Sequence, residues 1–286
     1  MAALLDHAGF VGRDMTRMRA AFTRLGFSPT EARALSRREA GQSVPLGQSS
    51  AHIVFGDTYL ELSAVETDSP THHLAGYAGR YEGLHILALR DAELQAAHAA
   101  AARAGAAPMQ IAEASREVDY GAGSRPGLAR FDWFALPQAD SPEGLTCLMR
   151  HLTPELVFQP AVQRHANGAL ALDAVWVTSA TPEATARRFA GWANGRVERT
   201  ARGFSVALGQ DRGRIEVVDP TAFASHFDGA QAPAEASFAA LTLRVADLAA
   251  TRALLESRGV PHGGSLSGGL WVAATEAAGA VLEFVA

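Results

Sequence analysis

The sequence has a single cysteine, Cys147, in 286 residues. An internal disulfide needs two, so none can form, and a zinc site built on several thiolates lacks its ligands. Long apolar runs are missing too: none approaches the roughly 20 residues that span a bilayer. The first six residues are apolar but carry neither a basic flank nor a cleavage site, so they read as the start of a strand rather than a leader. Positive charge is not in excess. The formal net charge is −5, which leaves no global field to hold nucleic acid or an acidic membrane. No serine sits in a nucleophile elbow, and no glycine-rich phosphate loop precedes a helix. These absences leave a cytoplasmic protein whose expected partner is a small-molecule substrate or ligand, with no nucleic acid and no membrane, and with a homodimer left open.

What the sequence does have is a repeat. With 48% apolar and 19% charged residues the balance is that of a globular chain, long enough for one large or two ordinary domains. One pattern recurs four times: an apolar strand, a helix cap, a helix and a glycine stop. The first copy opens on Leu4 to Val11, is capped by Asp14 and ends at Leu25-Gly26-Phe27. The fourth opens on Phe238 to Val245, is capped by Asp247 and ends at Gly259-Val260, with the same cap-to-glycine spacing. The second starts at Gly83 to Leu89 and its helix ends near Ala104-Gly105. The third starts at Leu172 to Val177, opens its helix at Thr181-Pro182-Glu183 and closes it at Asn194-Gly195.

After each helix come pairs of strand-like segments separated by turn signals: 51–55 and 58–65, 129–136 and 145–149, 204–208 and 214–218, 270–274 and 280–285. The expected class is therefore α+β, with four βαβββ modules paired into two curved mixed sheets. Modules one and two occupy 1–152, a connector 153–170, and modules three and four 171–286. Polar stretches at 66–81 and 222–236 read as links within each pair, and the Gly/Ser/Gln-rich stretch 41–50 as a loop over the mouth of a cavity.

Particular motifs carry a resemblance. Leu5-Asp6-His7-Ala8-Gly9-Phe10, with Asp14 and Leu25-Gly26-Phe27 downstream, resembles the opening strand and helix of vicinal oxygen chelate proteins. Gly56-Asp57-Thr58-Tyr59-Leu60-Glu61-Leu62 resembles the last strand of their module, glutamate included, and Ser141-Pro142-Glu143-Gly144-Leu145 resembles the turn that enters that strand in the second copy. Gln159-Pro160 and His165-Ala166-Asn167-Gly168-Ala169 resemble a connector of the glyoxalase-like branch. The superfamily holds lyases, epimerases, extradiol dioxygenases and metal-free antibiotic-binding proteins, so the resemblance is specific for fold and not for reaction.

In that superfamily metal ligands come from the first and last strands of each module. Carried over residue by residue, the resemblance implies His7 and Glu61 from the first copy and His85 from the second. The fourth position falls on Leu148, which cannot bind a metal. Two imidazoles and a carboxylate with open positions suit a divalent ion such as Fe, Mn, Zn or Ni. That implies a metal-dependent lyase, isomerase or dioxygenase acting on a small oxygenated substrate. The missing fourth ligand departs from the lyase pattern, and four-module extradiol dioxygenases usually carry their set in the C-terminal half. The other reading is a metal-free binding or antibiotic-sequestering protein. In copies three and four the position of His7 is held by Ala174 and Ala240. Glu216 and Glu283 stand where Glu61 stands, expected to face solvent or to pair with an arginine such as Arg244.

Each further polar residue has a plain reading beside the functional one. His52, on the strand next to that of Glu61, is either a hydrogen-bonded strand histidine or a catalytic acid–base beside Glu61. Asp6 reads as a turn cap, His72-His73 as exposed linker, Trp133 as core, and Cys147 as a small buried hydrophobe. His165 and Asn167 read as fixing the connector by bonds to the backbone.

Overall fold

The computed structural model describes residues 2–39, 42–67, 72, 74–121, 123–209 and 213–286. The Gln210-Asp211-Arg212 part of the expected third-copy turn and His73 lie outside the described residues. Among the described residues, sixteen strands fall into two eight-stranded sheets, one per pair of modules. In the first, β1 (Leu4–Gly12), β2 (Arg33–Glu39), β3 (Gln42–Val54), β4 (Tyr59–Val65), β5 (Gly83–Arg90), β6 (Ala112–Val118), β7 (Gly127–Ala135) and β8 (Leu145–His151) are ordered β2-β3-β4-β1-β5-β8-β7-β6. The central pair β1–β5 is antiparallel, while β1–β4 and β5–β8 are parallel, so the sheet is mixed.

The second sheet repeats this order with β10 (Arg196–Arg199), β11 (Gly203–Ala207), β12 (Arg214–Val218), β9 (Ala169–Thr178), β13 (Ser237–Val245), β16 (Val281–Val285), β15 (Leu270–Val272) and β14 (Gly263–Gly264). In the first sheet the outer strands β2 and β6 curl toward each other, and Arg33 pairs with Asp119 across the gap at 3.1 Å.

The helices form where the sequence punctuates them. Asp14 accepts a hydrogen bond from the Arg17 N–H ahead of α1 (Met15–Arg24), and Asp247 caps the helix Leu248–Ser257 through Ala249 and Ala250. Gly26 and Gly259 follow with positive φ. Two further helices, Leu94–Arg103 and Pro182–Ala193, have no side-chain cap bond. The helix-covered faces of both sheets share one core: Phe10, Phe22 and Phe27 from the first half meet Phe189, Phe238 and Phe284 from the second. Phe27 stacks on Phe284, with ring centroids 6.1 Å apart.

Two expectations change. Residues 42–50 form no loop; they belong to β3, which pairs with β2 and β4 along its length. The edge strands β2, β6 and β10 are rich in arginine and glutamate, a composition that reads as loop although an edge strand faces water on one side. The polar link at 222–236 likewise begins inside a helix, Pro220–His226, whose Phe223 packs with Phe227 against Trp176 on the concave face of the second sheet.

The halves also touch backbone to backbone. Gly279 has φ +98, and a Cβ there would strike the Glu82 carbonyl oxygen of the other half. Gly279→Ala is expected to cost upwards of about 2 kcal/mol, combining left-handed strain with the collision. A urea midpoint equal to that of the parent protein would disprove this contact.

Candidate active site on the concave face of the first sheet

Strand parity sets the site. His7 pairs with Tyr59 and Gly9 with Glu61, so His7, Tyr59 and Glu61 share a face. Leu60 and Leu62 point the other way into the helix-covered core. On β3, His52 lies directly opposite Glu61. His7 stacks on Tyr59 at 4.3 Å between centroids, and His52 meets the same ring edge-on at 5.5 Å.

A bulge adds what alternation would have hidden. The register of β1 against β5 shifts between Leu5 and His7, leaving Asp6 as the extra residue. Asp6 is thereby turned to the side of its neighbour, fully buried, and accepts from His7 Nδ1 at 2.8 Å. It accepts a second bond from His151 Nε2, at the end of β8, at 3.0 Å. Burial alone would raise the Asp6 carboxyl, but the imidazoles of His151 and His7 outweigh it and hold the group well below the usual carboxylate range. An ionised carboxylate only accepts, so both facing nitrogens carry protons. The lone pair of neutral His7 then sits on Nε2, on the concave side.

Glu61 is oriented in the same manner. Its Oε1 accepts from Ser50 Oγ at 2.9 Å and from Ser63 Oγ at 2.7 Å. Oε2 stands 3.6 Å from His7 Nε2, beyond hydrogen-bond reach. The two atoms face one another on the concave side of the sheet. Burial, then Arg116, then His7 keep His52 uncharged. Burial foremost, then Asp6, holds the Tyr59 phenol protonated. Arg116 of β6, two residues from Val118 in the cluster around Tyr59, donates to Tyr120 Oη at 3.1 Å. A narrow cleft lined by Ser50, His52, Arg116 and Tyr120 leads in from the surface.

His85 and Leu148 lie apart from this group. The register of β5 slips by one between Leu84 and Ile86, so Ile86, opposite Gly9, takes the concave position. His85 is spent on the Tyr81 carbonyl at 2.8 Å. On β8 the residue in the place of Glu61 is Cys147, paired with Ala88, while Leu148 faces the core. Burial, reinforced by Asp6 and Glu61, pushes the Cys147 thiol up, so it is no thiolate. Asp6, His151 and Arg116 were missed as site residues. His151 shares the parity of Cys147 and was open to counting; Asp6 was not, because a bulge leaves no mark in the sequence.

Burial holds His85 down at about 4, against an ordinary 6.5. The unfolded chain therefore takes up this proton first as pH falls. Stability is expected to drop by about 1.4 kcal/mol per pH unit from about pH 6.5 to about pH 4 on account of this ring. His85→Gln keeps the donor to Tyr81 and removes the titration. Urea midpoints of parent and variant that fall in parallel over that window would contradict the assignment.

The profile of the glyoxalase-like domain family matches residues 5–193. The chain belongs to that family. No curated protein sequence matches the chain. Among solved structures, a hypothetical protein from Staphylococcus aureus superposes with a TM-score of 0.66 at 10% identity, covering 98% of both chains. The Mn(II)-bound glyoxalase from Novosphingobium aromaticivorans gives 0.58 at 13% identity, over 99% of this chain and 81% of that one. A mutant 4-hydroxymandelate synthase from Streptomyces coelicolor gives 0.57 at 16% identity, over 93% and 78%. Identities this low speak for the shared fold alone.

One of these solved structures is a Mn(II)-bound glyoxalase, and a divalent ion is what the sequence resemblance implies, so the donor set is tested against one. His7 Nε2 and Glu61 Oε2 are separated by a distance that two ligands at about 2.0–2.2 Å can span. The second module offers Ile86 and a protonated Cys147 at its two positions. Among the described residues no three histidine, cysteine, aspartate or glutamate side chains gather into a group that could hold a metal. Two donors fall short of the three-ligand set expected from His7, His85 and Glu61, and the residues present do not complete that divalent-ion site.

The second sheet carries a different network. Glu283 does not reach solvent or Arg244. It is buried, bonds His226 at 3.2 Å and Thr242 at 2.7 Å, and Trp176 donates to the same Thr242. Burial would raise Glu283, but these bonds, with those of Ser265 and Ser267, bring it to about 2. Glu216 pairs with Arg214 at 2.6 Å, and Arg244 with Asp173. His165 reaches the Val54 carbonyl at 3.0 Å, and Asn167 the Leu25 carbonyl at 3.0 Å, tying the connector to the first half.

Proposed function

We propose that this glyoxalase-like protein is an enzyme of the isomerase or lyase type that moves a proton on a small oxygenated substrate, using its own side chains on the concave face of the first sheet. The observation that carries the reading is the facing of His7 Nε2 and Glu61 Oε2, 3.6 Å apart, each side chain fixed from behind by buried partners. An imidazole whose Nδ1–H is held by a carboxylate presents its other nitrogen as a base. His7 takes a proton from the carbon beside a carbonyl, forming an N–H bond. The C–H electron pair moves into the carbon framework, and the carbonyl oxygen becomes an enolate. The proton now on His7 Nε2 passes to the facing Glu61 Oε2, and Glu61 delivers it to the neighbouring atom of the enolate, which leaves both groups as they began. Arg116, which donates to Tyr120 Oη, stands on the same face to hold the enolate oxygen or a substrate carboxylate. Neutral His52 and protonated Tyr59 act as hydrogen-bonding walls.

The test is exchange of carbon-bound hydrogen in heavy water, followed by proton NMR, over a panel of 2-oxo acids, hydroxyaldehydes and hydroxyketones. Enzyme-dependent exchange lost on His7→Ala and kept after chelation is expected. Stoichiometric Mn, Fe, Zn or Ni in the purified protein, released by His7→Ala, would instead make His7 and Glu61 metal ligands. No exchange with any member would leave the metal-free binding protein as the better account. Arg116→Gln is expected to raise KM about tenfold or more for carboxylate substrates and less for neutral ones. Equal effects on both would remove Arg116 from substrate binding.

A further inference from the structure

From His7 the register runs across the first sheet to Arg116. His7 stands opposite Ala88, Ala88 opposite Cys147, and Cys147 opposite Ala135. Further along the same two strands Trp133 pairs with Met149, and Phe131 with His151. On β6, Ala114 lies opposite Phe131 and Arg116 opposite Ala129. Residues opposite one another on paired strands share a face, as do residues two apart on one strand. All of these therefore stand on the concave side with His7 and Glu61. Phe134 and Leu148, of the other parity, enter the helix-covered core.

The concave face is divided by module. On the first module it is polar, with His7, His52, Tyr59, Glu61 and the serines that hold Glu61. On the second it is apolar: Ala88, Ala135, Cys147 and Met149 form a cluster of their own, with Phe131 and Trp133 packed against it. The two parts are continuous, because Cys147 is near enough to Asp6 and Glu61 for both charges to act on its thiol. Trp133, expected as core, is only partly covered, and so are Phe131 and Ala114. The inner face is thus open over these rings, and the apolar surface they leave to water is what a ligand's hydrocarbon part would cover. Arg116 ends the row. It donates to the neutral Tyr120 hydroxyl and lies over the same ring, and among the described residues no carboxylate stands within ion-pairing distance of it.

We infer that the substrate of this site is a 2-oxo acid with a hydrocarbon side chain, the chain seated on Met149, Phe131 and Trp133 and the polar end reaching His7, Glu61 and Arg116. Three features of the face select that class. The facing His7 and Glu61 need a carbonyl beside the carbon that gives up its proton, Arg116 needs a carboxylate, and the second module needs an apolar group. The inference rests on the proton-transfer reading of His7 and Glu61 and adds the body of the substrate to it.

The probes are pyruvate and 4-methyl-2-oxopentanoate, which differ by three carbons of side chain. Each is titrated calorimetrically against the full chain, and each is followed for hydrogen exchange in heavy water. The longer acid is expected to bind at least about tenfold more tightly, since each buried methylene is worth about fourfold. Trp133→Ala removes the wall of the apolar part, and Ala114→Trp fills the space beside Phe131; each should bring the ratio to about threefold or less. The second variant, on an edge strand, serves should the first unfold. His7→Ala should lose exchange and keep the ratio. Equal binding of the two acids overturns the inference, whatever the exchange result. So does a ratio unchanged in both variants, or no binding of the longer acid up to about 10 mM. The expected ratio and its loss in the variants, without exchange in the parent protein, would uphold the apolar subsite and fail the proton-transfer reading instead.

Discussion

His7→Ala is expected to lower the rate of substrate hydrogen exchange by about 10²–10⁴-fold, the usual contribution of a positioned acid–base group. The reasoning runs through Asp6. That carboxylate is fully buried, and it fixes the Nδ1–H tautomer of His7, so the reactive lone pair has one place to be. Asp6→Asn offers a carbonyl or an amide to the same nitrogen and is expected to fall nearly as far, because half of its orientations select the wrong tautomer. His151→Gln keeps a donor to Asp6 and should cost far less. The order His7→Ala, then Asp6→Asn, then His151→Gln separates catalysis from general damage to a buried cluster. Circular dichroism and urea midpoints on the same variants control for folding. Parent-level exchange in His7→Ala would remove His7 from the chemistry altogether.

Phe284→Ala is expected to destabilise the protein by about 3–5 kcal/mol and to move the unfolding of both halves together. Phe284 is fully buried on the last strand of the second sheet, yet its ring stacks on Phe27 from the first half. The halves can be followed separately by chance of composition. Tyr59, Tyr77, Tyr81 and Tyr120 lie in the first half; Trp176, Trp192 and Trp271 lie in the second, with Trp133 alone in the first. Near-ultraviolet tyrosine signals and tryptophan fluorescence should therefore give coincident denaturation curves, in the parent and in the variant. Two separated transitions, with only the tryptophan curve shifted, would show that the shared core does not couple the halves.

Much of this molecule was legible before any coordinates. A strand, helix and glycine stop repeated four times mark four modules, and in the first and fourth an aspartate at the helix start and a glycine after its end, at the same spacing, satisfy local hydrogen bonds and local backbone geometry. The period of two along β1 and β4 places His7 and Glu61 on one face once both are known to be strands. These inferences hold because they rest on interactions within a few residues of each other.

The rest depended on which strand lies beside which. A one-residue bulge at Asp6 turns a supposed turn cap into the anchor of His7, and a second slip, at His85, removes an expected ligand from the concave face and puts Ile86 in its place. Asp6 and His151 are 145 residues apart and meet only when β1, β5 and β8 come together. The edge strands β2 and β6 were hidden by their charge, since an edge strand is held by its neighbour's backbone and not by its own side chains. Local sequence thus determined how many modules there are and which residues each could offer. Only the tertiary pairing decided which way those residues point, because a shift of one residue in register reverses every side chain that follows it.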